Sequence, residues 1–333
     1  MSKLKLYDKN YLISRTKIRK GETKYGEKVG TVASLDELKS HPARYVILGI
    51  PEDIGVLANF GKKGTSEAWH ECLNALLNML ANSLTRPEKV IVLGELDCRE
   101  EMRTAHMLDP DGDSFGETIG KLVEQIDLEV SQLIRKLVAA GKIPIVIGGG
   151  HNNAFGILKG TADALGKPVN VINMDAHSDF KPLEHRHSGN PFSYAMEKGY
   201  LNKYAIFGIH KSYTSQQVYD RMAQFKNRIA FYFFEDIILK ENPSFYQALK
   251  LAKQFIRFGS FGLEIDVDAI ESFPSSAMTP SGFSFKQARQ FARFFATNPT
   301  PAYIHICEAI PKRTENDTVG KALAYLVQDI TNE

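Results

Sequence analysis

The chain has 333 residues, of which 43% are hydrophobic and 24% charged, and its formal net charge is +2. This is the composition of a soluble globular protein, and interspersed acids and bases give no reason to expect a nucleic acid or a membrane surface as partner. Three scattered cysteines favour reduced, buried thiols over a disulfide framework. The first residues are too polar for a signal peptide, and no apolar run reaches the ~18 residues of a membrane helix, so we expect a cytoplasmic protein.

Residues 1–43 are mixed and charged without clean periodicity, and we expect them to form an N-terminal arm. From residue 44 to residue 333, short apolar runs alternate with longer amphipathic segments, and no linker divides this stretch. The alternation predicts one domain in which helices connect the strands of a parallel sheet. The clearest helical patterns cover residues 66–81 and 118–140. The predicted strands cover residues 45–50, 90–93, 143–147, 169–174, 204–209, 229–234, 261–267 and 302–307.

Ionisable residues stand at the ends of four of these predicted strands, although the strands are far apart in the sequence. His151, Asp175, Asp266 and Glu308 each come at or just beyond the end of an apolar run. Eight runs fit either an open sheet or an eight-stranded β/α barrel, and periodicity does not distinguish the two. Both architectures place their sites at the carboxyl ends of parallel strands. The four side chains are therefore expected to converge at one rim of the sheet.

The residues around these strand ends have the spacing of metal ligands. Asp175, His177 and Asp179 alternate along an extended segment, so their side chains point to the same side, and Asp266 and Asp268 repeat this spacing. An isolated pair of this kind is usually a polar loop or a helix cap, but buried charges at several strand ends are costly unless they are paired or bound to a metal. A set of carboxylates and imidazoles without sulfur suits manganese, with zinc or iron as alternatives.

In these motifs the sequence resembles the ureohydrolase family, which includes arginases, agmatinases and formimidoylglutamases. The resemblance runs in the family's order from about residue 45 to the last predicted strand. The family has a three-layer α/β/α fold with an eight-stranded parallel sheet, so the resemblance favours an open sheet over a barrel. It also implies a homo-oligomer, trimeric or hexameric, that acts on a small molecule. The matching motifs are Gly148-Gly-Gly-His151, Asp175-Ala-His-Ser-Asp179, Asp266-Val-Asp268, Glu308-Ala-Ile-Pro311 and, more loosely, Gly49-Ile-Pro-Glu-Asp-Ile-Gly55.

The resemblance implies a centre of two manganese ions (Mn2+) per subunit. Asp175 and Asp266 would bridge the ions, and a hydroxide between them would attack the planar carbon of an amidine or guanidine. Asp179 would orient this hydroxide and pass on its proton, and Glu308 would bind the cationic amidine or guanidinium. One ion would be held by His151, Asp175, Asp179 and Asp266, and the other by Asp175, His177, Asp266 and Asp268.

The loop after Asp179 is expected to select the substrate. His187-Ser-Gly-Asn190 resembles the segment with which arginases hold the α-carboxylate of their substrate. Arginases have a proton-shuttling histidine two residues after that asparagine, where this chain has Phe192, so the resemblance is closer to formimidoylglutamases. Their substrate, N-formimidoyl-L-glutamate, has two carboxylates, which cationic side chains of this loop would bind. The expected substrate-binding residues are Arg186, His187, Ser188 and Asn190, with Lys181 and His185 as further cations.

The leading hypothesis is the hydrolysis of N-formimidoyl-L-glutamate to L-glutamate and formamide in histidine degradation. The alternative within the family is a guanidino hydrolase that acts on arginine, agmatine or a guanidino acid and releases urea. A histone-deacetylase-like enzyme with one zinc is disfavoured by Asp179 and Asp268, and a catalytically silent relative by the retention of all six ligands. The chain departs from the family at Glu264, where relatives have serine or a small residue, and His305 is expected to be a packing residue.

Overall fold

The computed structural model describes residues 3–297, 300–312 and 318–332, which form a sheet of nine strands with helices on both faces. The strands in chain order are β1 (Leu4–Leu6), β2 (Tyr45–Gly49), β3 (Val90–Leu96), β4 (Ile143–Ile147), β5 (Val169–Met174), β6 (Leu201–Ile209), β7 (Ile229–Phe233), β8 (Phe261–Asp266) and β9 (Tyr303–Cys307). Their order across the sheet is β1-β3-β2-β4-β9-β8-β5-β6-β7. All neighbouring strands are parallel except β1, which is antiparallel to β3.

Each of the eight predicted strands is present, with small differences at the ends. The sheet is open, with β1 and β7 at its edges, so the barrel alternative is wrong. The sheet also has a ninth strand, because Leu4, Lys5 and Leu6 of the N-terminal segment pair with the edge of β3. A strand of three residues is too short to leave a periodic signal, and its partner comes some ninety residues later in the chain.

Helices cover both faces of the sheet, and each central strand is therefore buried on both sides. The helices of the described residues are α1 (Lys9–Ser14), α2 (Tyr25–Lys28), α3 (Ile54–Ala58), α4 (Ala68–Leu77), α5 (Arg99–His106), α6 (Phe115–Ala139), α7 (Asn153–Leu165), α8 (Pro191–Glu197), α9 (Gln216–Ala223), α10 (Phe245–Phe255), α11 (Phe285–Ala296) and α12 (Val319–Thr331). The helices predicted over 66–81 and 118–140 are found as α4 and α6. None of the helices in the described part of the chain is long and apolar enough to cross a membrane.

Alternate residues of each central strand enter two separate hydrophobic cores. In β4, Ile145 and Ile147 pack into the core shared with α4, α10, α11 and α12, whereas Val146 packs into the core shared with α6, α7 and α8. Near-continuous apolar strands with both faces covered are typical of parallel sheets. The predicted three-layer α/β/α architecture is therefore confirmed. Residues of the N-terminal segment join the first core, in which Tyr7, Leu12 and Tyr25 are buried.

Candidate metal centre and substrate cavity

The predicted site residues lie at one rim of the sheet, at the carboxyl ends of four neighbouring strands in its middle. β4, β9, β8 and β5 lie side by side in this order. Their carboxyl ends lead to His151, Glu308, Asp266 and Asp175 respectively, as predicted from the apolar runs. All four side chains are buried, with at most 3% of each residue exposed. The parallel topology thus brings together residues that are up to 157 positions apart in the chain.

The first group of candidate ligands surrounds one nitrogen of His151. His151 Nδ1 lies 2.8 Å from Asp179 Oδ2, 3.1 Å from Asp266 Oδ2 and 3.3 Å from Asp175 Oδ2. Donor atoms of the four residues all lie within 4.8 Å of one another. This group contains the four residues expected to hold one of the ions, and their role as ligands stays a prediction.

The second group shares Asp175 with the first. His177 Nδ1 lies 2.8 Å from Asp268 Oδ2 and 3.7 Å from Asp175 Oδ1, and donor atoms of the three residues lie within 4.8 Å of one another. Asp266 was expected here as a second bridging ligand, but it does not belong to this group. Its Oδ2 faces His151, and its Oδ1 accepts a hydrogen bond from the backbone N–H of Asp268 at 2.9 Å. Asp175 is thus the carboxylate that the two groups have in common.

The electrostatics of the two groups favour a bound cation. Burial, and then the charges of Asp268 and Asp175, raise the pKa of Asp266 well above its ordinary value. Burial and the charge of Asp175 likewise raise the pKa of Asp179. Both ring nitrogens of His151, and Asp268 Oδ1, are buried without a well-formed hydrogen bond. Crowded carboxylates and unpartnered ligand atoms are costly when they are buried away from water, unless a positive charge compensates them. The residues therefore fit a site for divalent metal ions.

Two residues of the site hold left-handed backbone conformations that are uncommon outside glycine. The φ angle is +44° at Asp179 and +65° at Glu308. Such conformations cost free energy and concentrate where a side chain must be aimed at a functional site. Gly149, in the loop before His151, also has a positive φ, and a Cβ there would lie 2.3 Å from Asn153 Nδ2 and 2.7 Å from Glu52 Oε1. The glycines of this motif therefore let two loops pack closely.

Glu52 explains why two asparagines follow His151. Glu52 is fully buried, and its Oε1 accepts hydrogen bonds from Asn153 Nδ2 at 2.6 Å and from the backbone N–H of Gly150 at 3.1 Å. Its Oε2 accepts from the backbone N–H of Ile54 at 2.7 Å. Asn152 Nδ2 adds a longer contact of 3.3 Å. Glu52 thus joins the loop after β2 to the loop that carries His151, a role that the sequence motif alone did not reveal.

Glu308 is held at the same rim by hydrogen bonds to both of its carboxylate oxygens. Oε1 accepts from the backbone N–H of His151 at 2.7 Å, and Oε2 accepts from the hydroxyl of Ser276. Burial raises the pKa of Glu308 to about 7, although these hydrogen bonds oppose the shift. A buried carboxylate of this kind is suited to pair with a cationic group of a ligand.

A cavity of about 520 Å³ opens over both groups. This size is typical of sites for small molecules. The surrounding loops supply hydroxyl, amide and aromatic groups that no periodic pattern in the sequence announced. The residues that line the cavity are Asn59, His177, Ser178, Asp179, Lys181, Pro182, Glu184, Ser188, Tyr213, Thr214, Ser215, Gln217, Val218, Asp266, Asp268, Ser276, Ala277 and Glu308.

Of the four residues expected to bind substrate, only Ser188 lines this cavity. Arg186 is 1% exposed and points away from it: Nε lies 3.0 Å from Asp127 Oδ2, and Nη2 donates to the backbone oxygen of Asn152 at 3.0 Å. This geometry therefore gives no support to the expectation that Arg186 binds substrate. The reason is a buried carboxylate on α6, which takes the guanidinium as its partner because an unpaired charge there would be costly.

His187 and Asn190 also make hydrogen bonds within the loop and do not line the cavity, although both were expected to bind substrate. His187 Nε2 lies 2.9 Å from Glu184 Oε1, and His187 Nδ1 accepts from the backbone N–H of Gly189. Asn190 Oδ1 accepts from Arg186 Nη1 at 2.5 Å and from the backbone N–H of His187 at 3.1 Å. Both are buried. The cation that this loop does present to the cavity is Lys181, whose Nζ donates to Asn59 Oδ1 at 2.6 Å.

Two aromatic contacts distinguish the candidate metal histidines. Phe192, at the position of the arginase shuttle, is buried and packs edge-on against His151, with ring centroids 5.1 Å apart. It has no exchangeable proton, so it offers no shuttle. Tyr213 stacks on His177, with ring centroids 5.2 Å apart, and also on His210, with ring centroids 4.8 Å apart. Tyr213 lies in a loop and had no signal in the sequence.

Comparison with known proteins identifies the family of the chain. The model of the Arginase family matches residues 43–331. A formimidoylglutamase of Geobacillus thermodenitrificans is 27% identical over 289 residues, which cover 84% of this chain and 82% of that protein. Among solved structures, formimidoylglutamase from Bacillus subtilis has a TM-score of 0.74 at 18% identity and covers 95% of this chain and 93% of its own. The structure of Trypanosoma cruzi formiminoglutamase with Mn2+ has a TM-score of 0.71 at 18% identity, with 93% and 97% covered. The chain therefore belongs to the arginase family and is a hydrolase of carbon–nitrogen bonds in linear amidines.

Proposed function

We propose that the protein hydrolyses N-formimidoyl-L-glutamate to L-glutamate and formamide. The observation that carries the proposal is the composition of one cavity, which is lined by candidate metal ligands, by the buried carboxylate of Glu308 and by the ammonium of Lys181. This set matches a substrate that has a cationic amidine at one end and carboxylates at the other. The formimidoylglutamases among the relatives support the same substrate.

We further propose that the centre holds two manganese ions per subunit. Oxygen and imidazole donors without sulfur suit this metal, and a T. cruzi relative was solved with Mn2+. When bound, two divalent ions supply water activation near neutral pH and stabilise developing negative charge. One ion would be held by His151, Asp175, Asp179 and Asp266, and the other by Asp175, His177 and Asp268, with Asp175 common to both.

Each chain residue at the cavity has a distinct task in this proposal. Glu308 binds the cationic amidine and orients its planar carbon toward the ligand groups. Asp179 accepts the proton of the attacking water at its carboxylate and passes it to the departing α-amino nitrogen of glutamate. Lys181 binds a carboxylate of the glutamate part, and the hydroxyl of Ser188 donates to the same end. The formimidoyl carbon gains the water oxygen, its bond to the α-amino nitrogen breaks, and formamide leaves.

The experiment is a product assay on manganese-loaded protein with N-formimidoyl-L-glutamate, arginine, agmatine and guanidino acids in parallel. We expect formamide from the first substrate. Lys181→Met should raise KM for it about tenfold, the effect of one charge-assisted hydrogen bond, while the exposed Lys167→Met serves as the matched control. Agmatine has no carboxylate, so any turnover of it should not depend on Lys181. Urea from one of the guanidino compounds, without formamide, would instead support the guanidino hydrolase.

The organisation of the whole protein is also a proposal. We take residues 44–333 as one catalytic domain and residues 1–43 as an arm at its edge. We propose a cytoplasmic homo-oligomer, a trimer or hexamer, because the family resemblance implies one. Light scattering coupled to size-exclusion chromatography should give a mass of three or six subunits, and a monomeric mass would contradict this.

A further inference from the structure

A cluster of buried ionisable groups lies directly behind the candidate metal ligands. It consists of Glu264 on β8 and of Tyr303 and His305 on β9, all of which have no exposed surface. Glu264 pairs with His305 in the register of the two strands, and Asp266 pairs with Cys307. Because side chains alternate along a strand, Glu264 lies on the same face as Asp266, one step deeper in the sheet. The metal chemistry proposed above does not use this cluster.

Glu264 makes three specific contacts. Its Oε1 accepts a hydrogen bond from the hydroxyl of Tyr303 at 2.8 Å. Its Oε2 lies 2.7 Å from His305 Nδ1 and 3.5 Å from His151 Nε2. A carboxylate in the interior of a sheet is costly unless it is hydrogen-bonded, and these contacts place the acid between two imidazoles. His305 is thus a partner of Glu264 and not a packing residue only.

The two nitrogens of His151 therefore face different surroundings. Nδ1 faces the carboxylates of Asp175, Asp179 and Asp266, and Nε2 faces Glu264. The contact of Nε2 with Glu264, at 3.5 Å, is electrostatic and not a well-formed hydrogen bond. A neutral imidazole has a proton on one nitrogen only, and the nearby carboxylate favours that proton on Nε2, which leaves the lone pair of Nδ1 free for an ion. His177 is held differently, because its ring is stacked on Tyr213 and its side chain is 30% exposed.

We propose that Glu264 is a positioning residue for the divalent cation held by the His151 group. It fixes the orientation of the His151 ring and keeps the proton on Nε2, while Tyr303 and His305 fix Glu264. The inference rests on the metal centre of the proposed function but not on the identity of the substrate. It predicts that a change at Glu264 weakens the ion of the His151 group more than the other ion, since Glu264 faces His151 and not His177 or Asp268.

The test measures Mn2+ affinity and the coupled-ion signal in electron paramagnetic resonance for the full-length protein. In Glu264→Gln, whose amide keeps the volume of the side chain, the affinity of the His151 group should fall about 10–100-fold, as for other partners of metal histidines. The other ion should remain, so the signal of a coupled pair should give way to that of a single ion. Glu264→Asp should restore part of the affinity. Tyr303→Phe, which removes one hydrogen bond to Glu264, should weaken the same ion about fivefold.

Equal weakening of both ions in folded Glu264→Gln, or affinities unchanged from the wild type, would overturn the proposal. If Glu264→Gln does not fold, Tyr303→Phe decides the question. A lower Mn2+ affinity at the His151 group alone in Tyr303→Phe supports the proposal, and a wild-type affinity at both groups contradicts it. Failure of the proposed function has a different signature. Wild-type protein that binds two ions but releases no formamide would leave the role of Glu264 standing, whereas wild type that binds no Mn2+ would remove both proposals.

Discussion

The backbone N–H of His151 donates a 2.7 Å hydrogen bond to the carboxylate of Glu308. This contact joins the ends of β4 and β9, which are neighbours in the sheet. Glu308 reaches it through a left-handed backbone conformation. The hydrogen bond therefore fixes the carboxylate of Glu308, which lines the cavity, next to His151 of the candidate metal centre.

This contact leads to a prediction for Glu308→Gln. The amide keeps a hydrogen-bond acceptor for the His151 N–H but loses the charge that would pair with a cationic amidine. We expect kcat/KM for N-formimidoyl-L-glutamate to fall about 10–100-fold, the value of a hydrogen bond to a charged group. Bound Mn2+, measured by mass spectrometry of metals, should not change. Loss of metal together with activity would instead make Glu308 a support of the metal centre.

Replacement of Asp175 or of Asp268 by asparagine should have different effects on the number of metal ions bound per subunit. Asp175 belongs to both candidate ligand groups and Asp268 to one. We therefore expect Asp268→Asn to retain about one ion per subunit after desalting and Asp175→Asn to retain neither, because a shared carboxylate serves both ions. The ratio of bound Mn2+ to protein subunits, measured after desalting, distinguishes the two variants. If Asp268→Asn loses both ions, the two groups do not bind independently.

Arg186 should contribute to stability and not to substrate affinity. The Arg186–Asp127 pair is buried, and removal of one partner from such a pair costs about 3–5 kcal/mol. Arg186→Met should lower the free energy of unfolding in urea by this amount, and the double variant Arg186→Met/Asp127→Leu should recover most of it. KM should stay near the wild-type value in both. Lys181→Met should show the opposite pattern, a raised KM with an unchanged free energy of unfolding. If Arg186→Met instead raises KM and leaves the free energy of unfolding unchanged, Arg186 binds the substrate.

Glu95 should make stability depend on acid pH. Burial alone would raise its pKa, but hydrogen bonds from His70, Tyr7 and Lys5 outweigh burial and lower the pKa to about 2. An unfolded glutamate titrates near pH ~4.3, so the folded state binds fewer protons at intermediate pH. Glu95 therefore contributes stability that is present above this pH and is lost as the pH falls toward about 2.

The free energy of unfolding of Glu95→Gln should accordingly decline less steeply between about pH 4.5 and pH 2 than that of the wild type. The exposed Glu88→Gln is the matched control and should keep the wild-type slope. Urea unfolding at a series of pH values measures the slopes. Parallel curves for Glu95→Gln and the wild type would show that the contacts of Glu95 with the N-terminal strand do not depend on its charge.

The sequence predicted the parts of the molecule that depend on local spacing. The ends of parallel strands share one rim, so the convergence of His151, Asp175 and Asp266 followed from pattern and topology. The division of the ligands between two ions came from the family resemblance and stays a prediction. The left-handed conformation of Asp179 departs from the extended segment that the alternate spacing indicated. The direction of Arg186 did not follow, because its partner Asp127 precedes it by 59 residues and is buried only in the folded chain. Most of the wall of the cavity, including Tyr213, comes from loops that have no periodicity, although α9 contributes Gln217 and Val218.

The central claim is that this metal centre hydrolyses a formimidoyl group. The most direct measurement is formamide release from N-formimidoyl-L-glutamate by the protein before and after removal of metal by a chelator, with readdition of Mn2+. We predict one formamide and one glutamate per substrate consumed, loss of release on chelation, and recovery with Mn2+ in the wild type but not in Asp175→Asn. Release that persists without metal, or an absence of formamide from protein that binds two Mn2+ per subunit, would contradict the account.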